Sequence, residues 1–191
     1  MSYEILKNNI FRAIKANPTE IRHYDNALSL VLSVFEEDKQ TAFAISGELK
    51  NLCLSALYSN NSVKADIDLI YRKILLLEAP YLFDSYLLYL EINRRPREKF
   101  YFPRRMRLKE VVDALQDLED GNLDELFVSL PPRTGKTSLL MFFLTWIAGK
   151  YPEISNLYSA YSDVITSAMF EGVLEVLQDS TTYTWHEIFP D

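Results

Sequence analysis

Several residue types are scarce in this chain of 191 residues, and each scarcity excludes a class of protein. Cys53 is the only cysteine, and His23 and His186 are the only histidines. An internal disulfide therefore cannot form, and a zinc site built from thiolates and imidazoles is not expected. Five glycines and eight prolines leave little material for flexible linkers. Because the sequence shows neither a secretory leader nor an apolar run of about 20 residues, it predicts a cytoplasmic protein without a membrane span.

Apolar and aromatic residues, in contrast, are plentiful. The composition is 48% hydrophobic, with 12 tyrosines and 11 phenylalanines. A chain of this kind can bury a large apolar core, so we expect one or two folded domains rather than a disordered segment.

Charge is concentrated in one part of the chain. Residues 94–109 carry eight basic side chains and one acidic side chain, and residues 110–125 carry seven acidic and no basic ones. The net charge of the chain is −7. A basic block can still bind an anionic ligand locally, whatever the total charge, so direct contact with DNA by residues 94–109 is one hypothesis.

Residues 1–93 show apolar positions at helical spacing, interrupted near residues 17–18, 38–40, 59–62 and 79–80 by turn or capping residues. This pattern predicts an all-helical N-terminal domain of four or five amphipathic helices. Residues 94–107 follow as a basic connector, which Pro96 and Pro103 indicate to be extended. We place the domain boundary at this connector.

In residues 108–191 the spacing of the apolar residues changes more than once between a helical and a strand-like pattern. A helical pattern ends at Gly121, and short apolar runs at 126–130 and 156–161 are typical of buried parallel strands. A long apolar helix is expected from Lys136, and a further helix after Ser162, which can cap it. The order of elements predicts an α/β fold.

Residues 131–137 lie between the first predicted strand and the helix that follows it, and they end in Gly-Lys-Thr. This is the context of a phosphate-binding loop, in which backbone N–H groups and the helix N-terminus surround phosphate. Gly135 would admit the phosphate, Lys136 would contact the β- and γ-phosphates, and Thr137 would ligate Mg²⁺. Leu130 departs from the common pattern, which has a glycine there. The alternative is a strand-to-helix turn in which Lys136 is only a solvated N-terminal residue.

The loop resembles the variant Walker A sequence of bacteriophage large terminase subunits, the motors that pump DNA into procapsids. It reads Ser129-Leu130-Pro131-Pro132-Arg133-Thr134-Gly135-Lys136-Thr137. Residues 100–105, 115–121 and 183–191 are also similar to terminases of phages that infect Gram-positive bacteria. The similarity covers about residues 80–191, whereas residues 1–79 match only in being helical.

The resemblance implies an all-helical N-terminal domain followed by the start of a P-loop parallel sheet with flanking helices, the additional-strand ATPase fold. Arg133 would stabilise charge on the γ-phosphate and is the candidate catalytic residue. Arg107 stands where the family commonly has an adenine-binding glutamine. Arg104 and Arg105 have two open interpretations, contact with base or phosphate and a structural ion pair with the acidic residues just downstream. The expected nucleotide ligands are Arg104, Arg105, Arg107, Pro132, Arg133, Thr134, Gly135, Lys136, Thr137 and Ser138, with Thr137 also binding the metal.

The function implied by the resemblance is the coupling of ATP hydrolysis to DNA translocation, with ATP and Mg²⁺ as cofactors. Such motors work as homo-oligomers in the host-cell cytoplasm. Their partners are double-stranded phage DNA, a small terminase subunit and a portal protein.

Two sets of acidic residues that this function needs are missing from the sequence. No apolar strand ends in the Asp-Glu pair of a Walker B motif, and the acidic cluster of a nuclease is absent. We therefore expect the front part of a large terminase, which alone binds nucleotide weakly and hydrolyses it hardly at all. The alternatives are another helicase-like P-loop ATPase, or a non-hydrolysing interaction module in which residues 1–93 dock a partner.

Overall fold

The computed structural model describes residues 3–59 and 62–190, and the regular structure in these residues is entirely helical. The helices are α1 (Tyr3–Ala16), α2 (Ile21–Phe35), α3 (Lys39–Tyr58), α4 (Lys64–Glu78), α5 (Phe83–Leu90), a 3₁₀ turn (Phe102–Arg104), α6 (Arg105–Glu119), α7 (Lys136–Lys150), α8 (Asp163–Gln178) and α9 (Trp185–Ile188). None of the helices described is long and apolar enough to cross a bilayer.

The predicted parallel sheet is wrong. Residues 126–130 and 156–161 form no strand, and no backbone hydrogen bond joins them to each other or to any other described segment. A strand exists only where a neighbouring strand supplies a hydrogen-bonding ladder. Leu126, Val128 and Tyr158 line one cavity. The apolar pattern carried no information on whether a pairing strand is present.

The helical predictions agree with the structure. Breaks separate α1, α2 and α3 at the positions that the sequence indicates, although Asn60 and Asn61, in the next break, lie outside the described residues. Asp38 caps α3 by accepting a hydrogen bond from the backbone N–H of Thr41 at 3.1 Å. Gly121 ends α6 with φ +75°, the left-handed conformation that glycine adopts readily.

The chain divides into two compact units, Met1–Ile74 and Leu75–Asp191. The first contains α1 to α3 and most of α4, with a core of aliphatic and aromatic side chains and the fully buried Cys53. Burial raises the pKa of the Cys53 thiol to about 12. Residues 75–93, grouped with the N-terminal helices by sequence, belong to the unit that also holds the loop.

Aromatic side chains of α5 and α7 form the core of the second unit. The Phe83 ring lies 5.1 Å from the Trp146 ring and 5.2 Å from the Phe143 ring, centroid to centroid. The Trp146 Nε1–H donates to the carbonyl oxygen of Ala79 at 2.8 Å, so its polar atom is satisfied although the side chain is fully buried. Burial of each such ring contributes roughly 1.5–3 kcal/mol to the free energy of unfolding. The packing of these rings holds α7 in place, and with it the loop that precedes α7.

The C-terminal end of α7 is held by a buried ion pair. Lys150 Nζ contacts Glu119 Oε1 at 2.5 Å, and the Tyr151 hydroxyl donates to the same oxygen at 2.7 Å. Burial alone would raise the pKa of Glu119, but the hydrogen bonds from Lys150 and Tyr151 lower it below its ordinary value. Glu119 therefore remains ionised and keeps the end of α6 beside the end of α7.

The connector is folded into turns and is not extended as predicted. Residues 91–98 consist mainly of turns, and the 3₁₀ turn at Phe102–Arg104 leads directly into α6. The carboxylate of Glu91 accepts hydrogen bonds from the backbone N–H groups of Phe100 and Tyr101. In an extended connector these N–H groups would donate to water. Here they donate to Glu91, which holds the connector against the end of α5.

Candidate functional site

The loop at residues 131–135 has the backbone conformation of a tight turn that opens into a helix. Arg133 has φ +64° and Gly135 has φ +98°, and the Thr134 hydroxyl donates to the carbonyl oxygen of Pro131 at 2.8 Å. Arg133 is the one non-glycine residue with positive φ among the described residues. Such a conformation is strained for a residue with a Cβ atom and recurs at functional sites.

The loop leaves the first turn of α7 open. The first helical hydrogen bond runs from the Leu139 N–H to the Gly135 carbonyl, and no side chain caps the helix. The N–H groups of Lys136, Thr137 and Ser138 consequently have no acceptor within the described residues. Together with the positive end of the 15-residue helix they form a group of donors suited to an anion.

Lys136 is the positive charge at this helix start. Its Nζ donates to the carbonyl oxygen of Leu130 at 2.7 Å, so the side chain folds back over the loop. The side chain is exposed to solvent and has no carboxylate partner among the described residues. Its charge is therefore available to a phosphate group.

The connector packs directly against the loop. A Cβ atom placed on Gly135 would lie 2.3 Å from Phe100 Cε2, far inside van der Waals contact. The Arg104 guanidinium lies 5.2 Å from the centroid of the Phe100 ring, and its Nη1–H donates to the Phe100 carbonyl at 2.8 Å. Arg104 therefore contacts Phe100, which in turn contacts the Gly135 position.

The other two arginines of the expected adenine side have different surroundings. Arg105 forms a bidentate ion pair with Asp84, with Nε–Oδ1 and Nη2–Oδ2 distances of 2.9 and 2.7 Å. The Tyr101 hydroxyl donates to the same carboxylate, and burial and then the nearby Asp84 raise the pKa of that hydroxyl. Of the two open interpretations, the geometry favours the ion pair for Arg105, with an upstream partner instead of a downstream one. Arg107 is exposed on α6.

Thr137 and Ser138 lie in the first turn of α7, next to α8. Both line a cavity of about 390 Å³ between α7 and α8, which is otherwise formed by apolar side chains. Among the described residues no three His, Cys, Asp or Glu side chains gather into a metal-binding group. A hydroxyl such as that of Thr137 fits Mg²⁺ only as one ligand among phosphate oxygens and waters, since Mg²⁺ usually keeps several waters.

A second cavity, of about 350 Å³, lies beside the loop but is not suited to phosphate. Lys136 and Thr137 stand at its border, and its remaining lining consists of apolar side chains of α6, α7, α8 and residues 126–130, together with Tyr158. A polyphosphate transferred into such surroundings would lose its hydration without gaining hydrogen bonds. A phosphate group would therefore be better accommodated by the N–H groups at the start of α7 than by this cavity.

The structure thus brings together most of the residues that the sequence singled out. Pro132, Arg133, Thr134 and Gly135 form the turn, Lys136, Thr137 and Ser138 begin α7, and Arg104 stands behind Phe100. Phe100 belongs to a segment that only the resemblance singles out, and the sequence does not predict its contact with the loop. Its place between two prolines and the basic residues gave no sign of a tertiary contact 35 residues along the chain. Comparison with protein-family models, with curated proteins and with solved structures gives no match to this chain.

Proposed function

We propose that the second unit binds the phosphates of a nucleoside triphosphate, ATP, through residues 131–138. The observation that supports this most directly is the uncapped N-terminus of α7 behind a loop with two left-handed residues. Backbone donors in this arrangement recognise phosphate by geometry and by the helix dipole together. The exposed ammonium group of Lys136 adds the point charge that phosphate-binding loops employ.

The individual residues would have distinct roles in this site. The N–H groups of Lys136, Thr137 and Ser138 would hold the β-phosphate, and the Lys136 side chain would turn from Leu130 to the β- and γ-phosphates. Arg133, exposed at the tip of the turn, is the proposed contact to the γ-phosphate and the candidate for stabilising charge during phosphoryl transfer. Bound Mg²⁺ would neutralise charge between the phosphates, with the Thr137 hydroxyl as a ligand.

The wider role that we propose is in DNA packaging by a phage terminase motor. Its support is the resemblance of the loop, with Pro131, Pro132 and Arg133, to the terminase sequence. The basic connector offers Arg95, Arg97 and Arg107 as exposed side chains that double-stranded DNA could contact. A small terminase subunit and a portal protein are the protein partners that this role implies.

Calorimetric titration of the full chain with ATP, with and without Mg²⁺, tests the proposal. We expect weak, Mg²⁺-sensitive binding that is lost in Lys136→Ala, because this substitution removes the point charge at the helix start. Lys73→Ala is the matched control, since it removes the same charge from an exposed position on α4 in the first unit. Equal affinity of the wild type and Lys136→Ala would contradict the proposal.

A further inference from the structure

Glu91 is a buried carboxylate to which the proposed function assigns no role. It follows α5, is 1% exposed, and accepts four hydrogen bonds with distances from 2.9 to 3.0 Å. Three of them involve the backbone: Phe100 N–H reaches both carboxylate oxygens, and Tyr101 N–H reaches Oε2. The fourth comes from Arg94 Nη1, which balances the charge. A buried charge costs several kcal/mol unless it is compensated in this way.

The residue that Glu91 fixes is the one that touches the loop. Phe100 packs its ring on the Gly135 position and, at 5.6 Å between centroids, edge-on to Phe142 of α7. The ring therefore contacts both the last residue of the loop and the helix that begins there. From the Glu91 carboxylate to the Gly135 backbone there is a single intervening residue.

We propose that Glu91 is a positioning residue of the nucleotide site and acts through Phe100; this inference rests on the proposed function. With its carboxylate in place, the turn at Phe100 is held from behind and the ring presses on Gly135. Gly135 then keeps φ near +98°, and the N–H groups that follow keep their directions. Without these bonds the backbone N–H groups of Phe100 and Tyr101 lose their acceptor, the turn relaxes, and the ring no longer supports the loop. The N–H groups then spread before phosphate arrives, and binding has to restore their order.

The test is the affinity of the full chain for pyrophosphate, measured by calorimetry for Glu91→Met, Phe100→Leu and the double variant. Methionine is similar in size to glutamate but has no oxygen to accept the two backbone hydrogen bonds, whereas a glutamine could still accept both through one carbonyl oxygen. Pyrophosphate contains the phosphates without base or ribose, so it reports on the loop alone. We expect each single variant to bind about tenfold more weakly, within the range of substitutions that act through packed neighbours. If Glu91 acts through Phe100, the double variant binds no more weakly than Phe100→Leu, which a double-mutant cycle detects.

Glu119→Met is the matched control. Glu119 is also a buried carboxylate of the second unit paired with a basic side chain, but it holds the C-terminal end of α7. Both Met variants should lower the midpoint of urea unfolding, whereas only Glu91→Met should weaken pyrophosphate binding. This difference separates positioning from a merely structural role.

Three results would overturn the inference in distinguishable ways. If the wild type fails to bind ATP and pyrophosphate, the proposed function fails and the inference fails with it. If the wild type binds and Lys136→Ala does not, while Glu91→Met binds like the wild type, only the inference is contradicted. If Glu91→Met does not fold, unchanged binding by folded Phe100→Leu contradicts it instead.

Discussion

At the scale of single residues, Gly135 carries the most specific requirement. Its φ of +98° lies in a region that residues with a Cβ atom rarely adopt, and the Phe100 ring occupies the place where that atom would be. Gly47, in the middle of α3, differs on both counts, because nothing lies within 4 Å of its Cβ position and its φ is not positive. One glycine is demanded by the fold, and the other is only tolerated.

Gly135→Ala should therefore destabilise the second unit by about 1–3 kcal/mol and weaken pyrophosphate binding, because strain and the Phe100 contact both displace the loop. Gly47→Ala should instead stabilise the chain by about 0.5–1 kcal/mol, since alanine has the higher helix propensity. Urea unfolding of both variants measures these changes. A Gly135→Ala variant as stable as the wild type would show that the loop backbone is not fixed.

At the scale of elements, a hydrogen-bond chain fastens α5 to α7. The hydroxyls of Tyr86 and Thr145 lie 2.7 Å apart, and both side chains are fully buried. The Thr145 hydroxyl donates to the carbonyl of Phe142 at 2.9 Å, so its proton is used and Tyr86 must be the donor between the two. Burial raises the pKa of the Tyr86 hydroxyl, which keeps this donor protonated.

The donor order of these hydrogen bonds, from Tyr86 to Thr145 to Phe142, predicts that removing each hydroxyl lowers the free energy of unfolding by a different amount. Thr145→Val leaves the buried Tyr86 hydroxyl without an acceptor and should cost about 1–3 kcal/mol. Tyr86→Phe leaves Thr145 still bonded to Phe142 and should cost about 1 kcal/mol. The double variant should lose less stability than the sum of the losses in the two single variants, and urea unfolding can measure this difference. The opposite order of the two single costs would contradict the assigned donor.

Prediction of these elements from the sequence succeeded where the signal is local. The apolar period, the Ser162 cap and Gly121 placed helices correctly because each acts within a few residues of its own position. The strand prediction at 126–130 failed because pairing depends on a distant partner, which an apolar run does not specify. For the same reason the loop was found from Gly135 and Lys136, while the Glu91 and Phe100 support behind it was not. Those contacts join residues separated by turns whose course the sequence does not state.

At the scale of the whole molecule, the surface of the second unit carries several highly exposed apolar side chains. Phe127 is 90% exposed, Leu157 93% and Tyr161 92%, and all three lie in the non-helical segments. Their chain neighbours Val128 and Tyr158 line the cavity beside the loop, although Val128 is also exposed to solvent. Exposed apolar residues that cluster are an association hazard, whereas isolated ones are ordinary.

Replacing Phe127 and Leu157 together by serine should reduce binding of an apolar fluorescent dye and self-association in sedimentation experiments. Stability should change by less than about 0.5 kcal/mol, because neither side chain is packed. Met106→Ser is the control, a single exposed apolar residue on α6 with 92% of its surface accessible. Equal dye binding by the double variant and the wild type would place the exposed surface elsewhere.

The hydrogen bond from Lys136 to the Leu130 carbonyl has a consequence for any anion that reaches the loop. The carbonyl uses one of the three N–H donors of the ammonium group, but the proposed role requires the side chain to turn away from that carbonyl toward the β- and γ-phosphates. The measured affinity then includes the loss of the carbonyl contact as well as the gain of the phosphate contact. A change that weakens the contact between Lys136 and the Leu130 carbonyl, without altering the loop, would therefore raise the affinity of the loop for an anion.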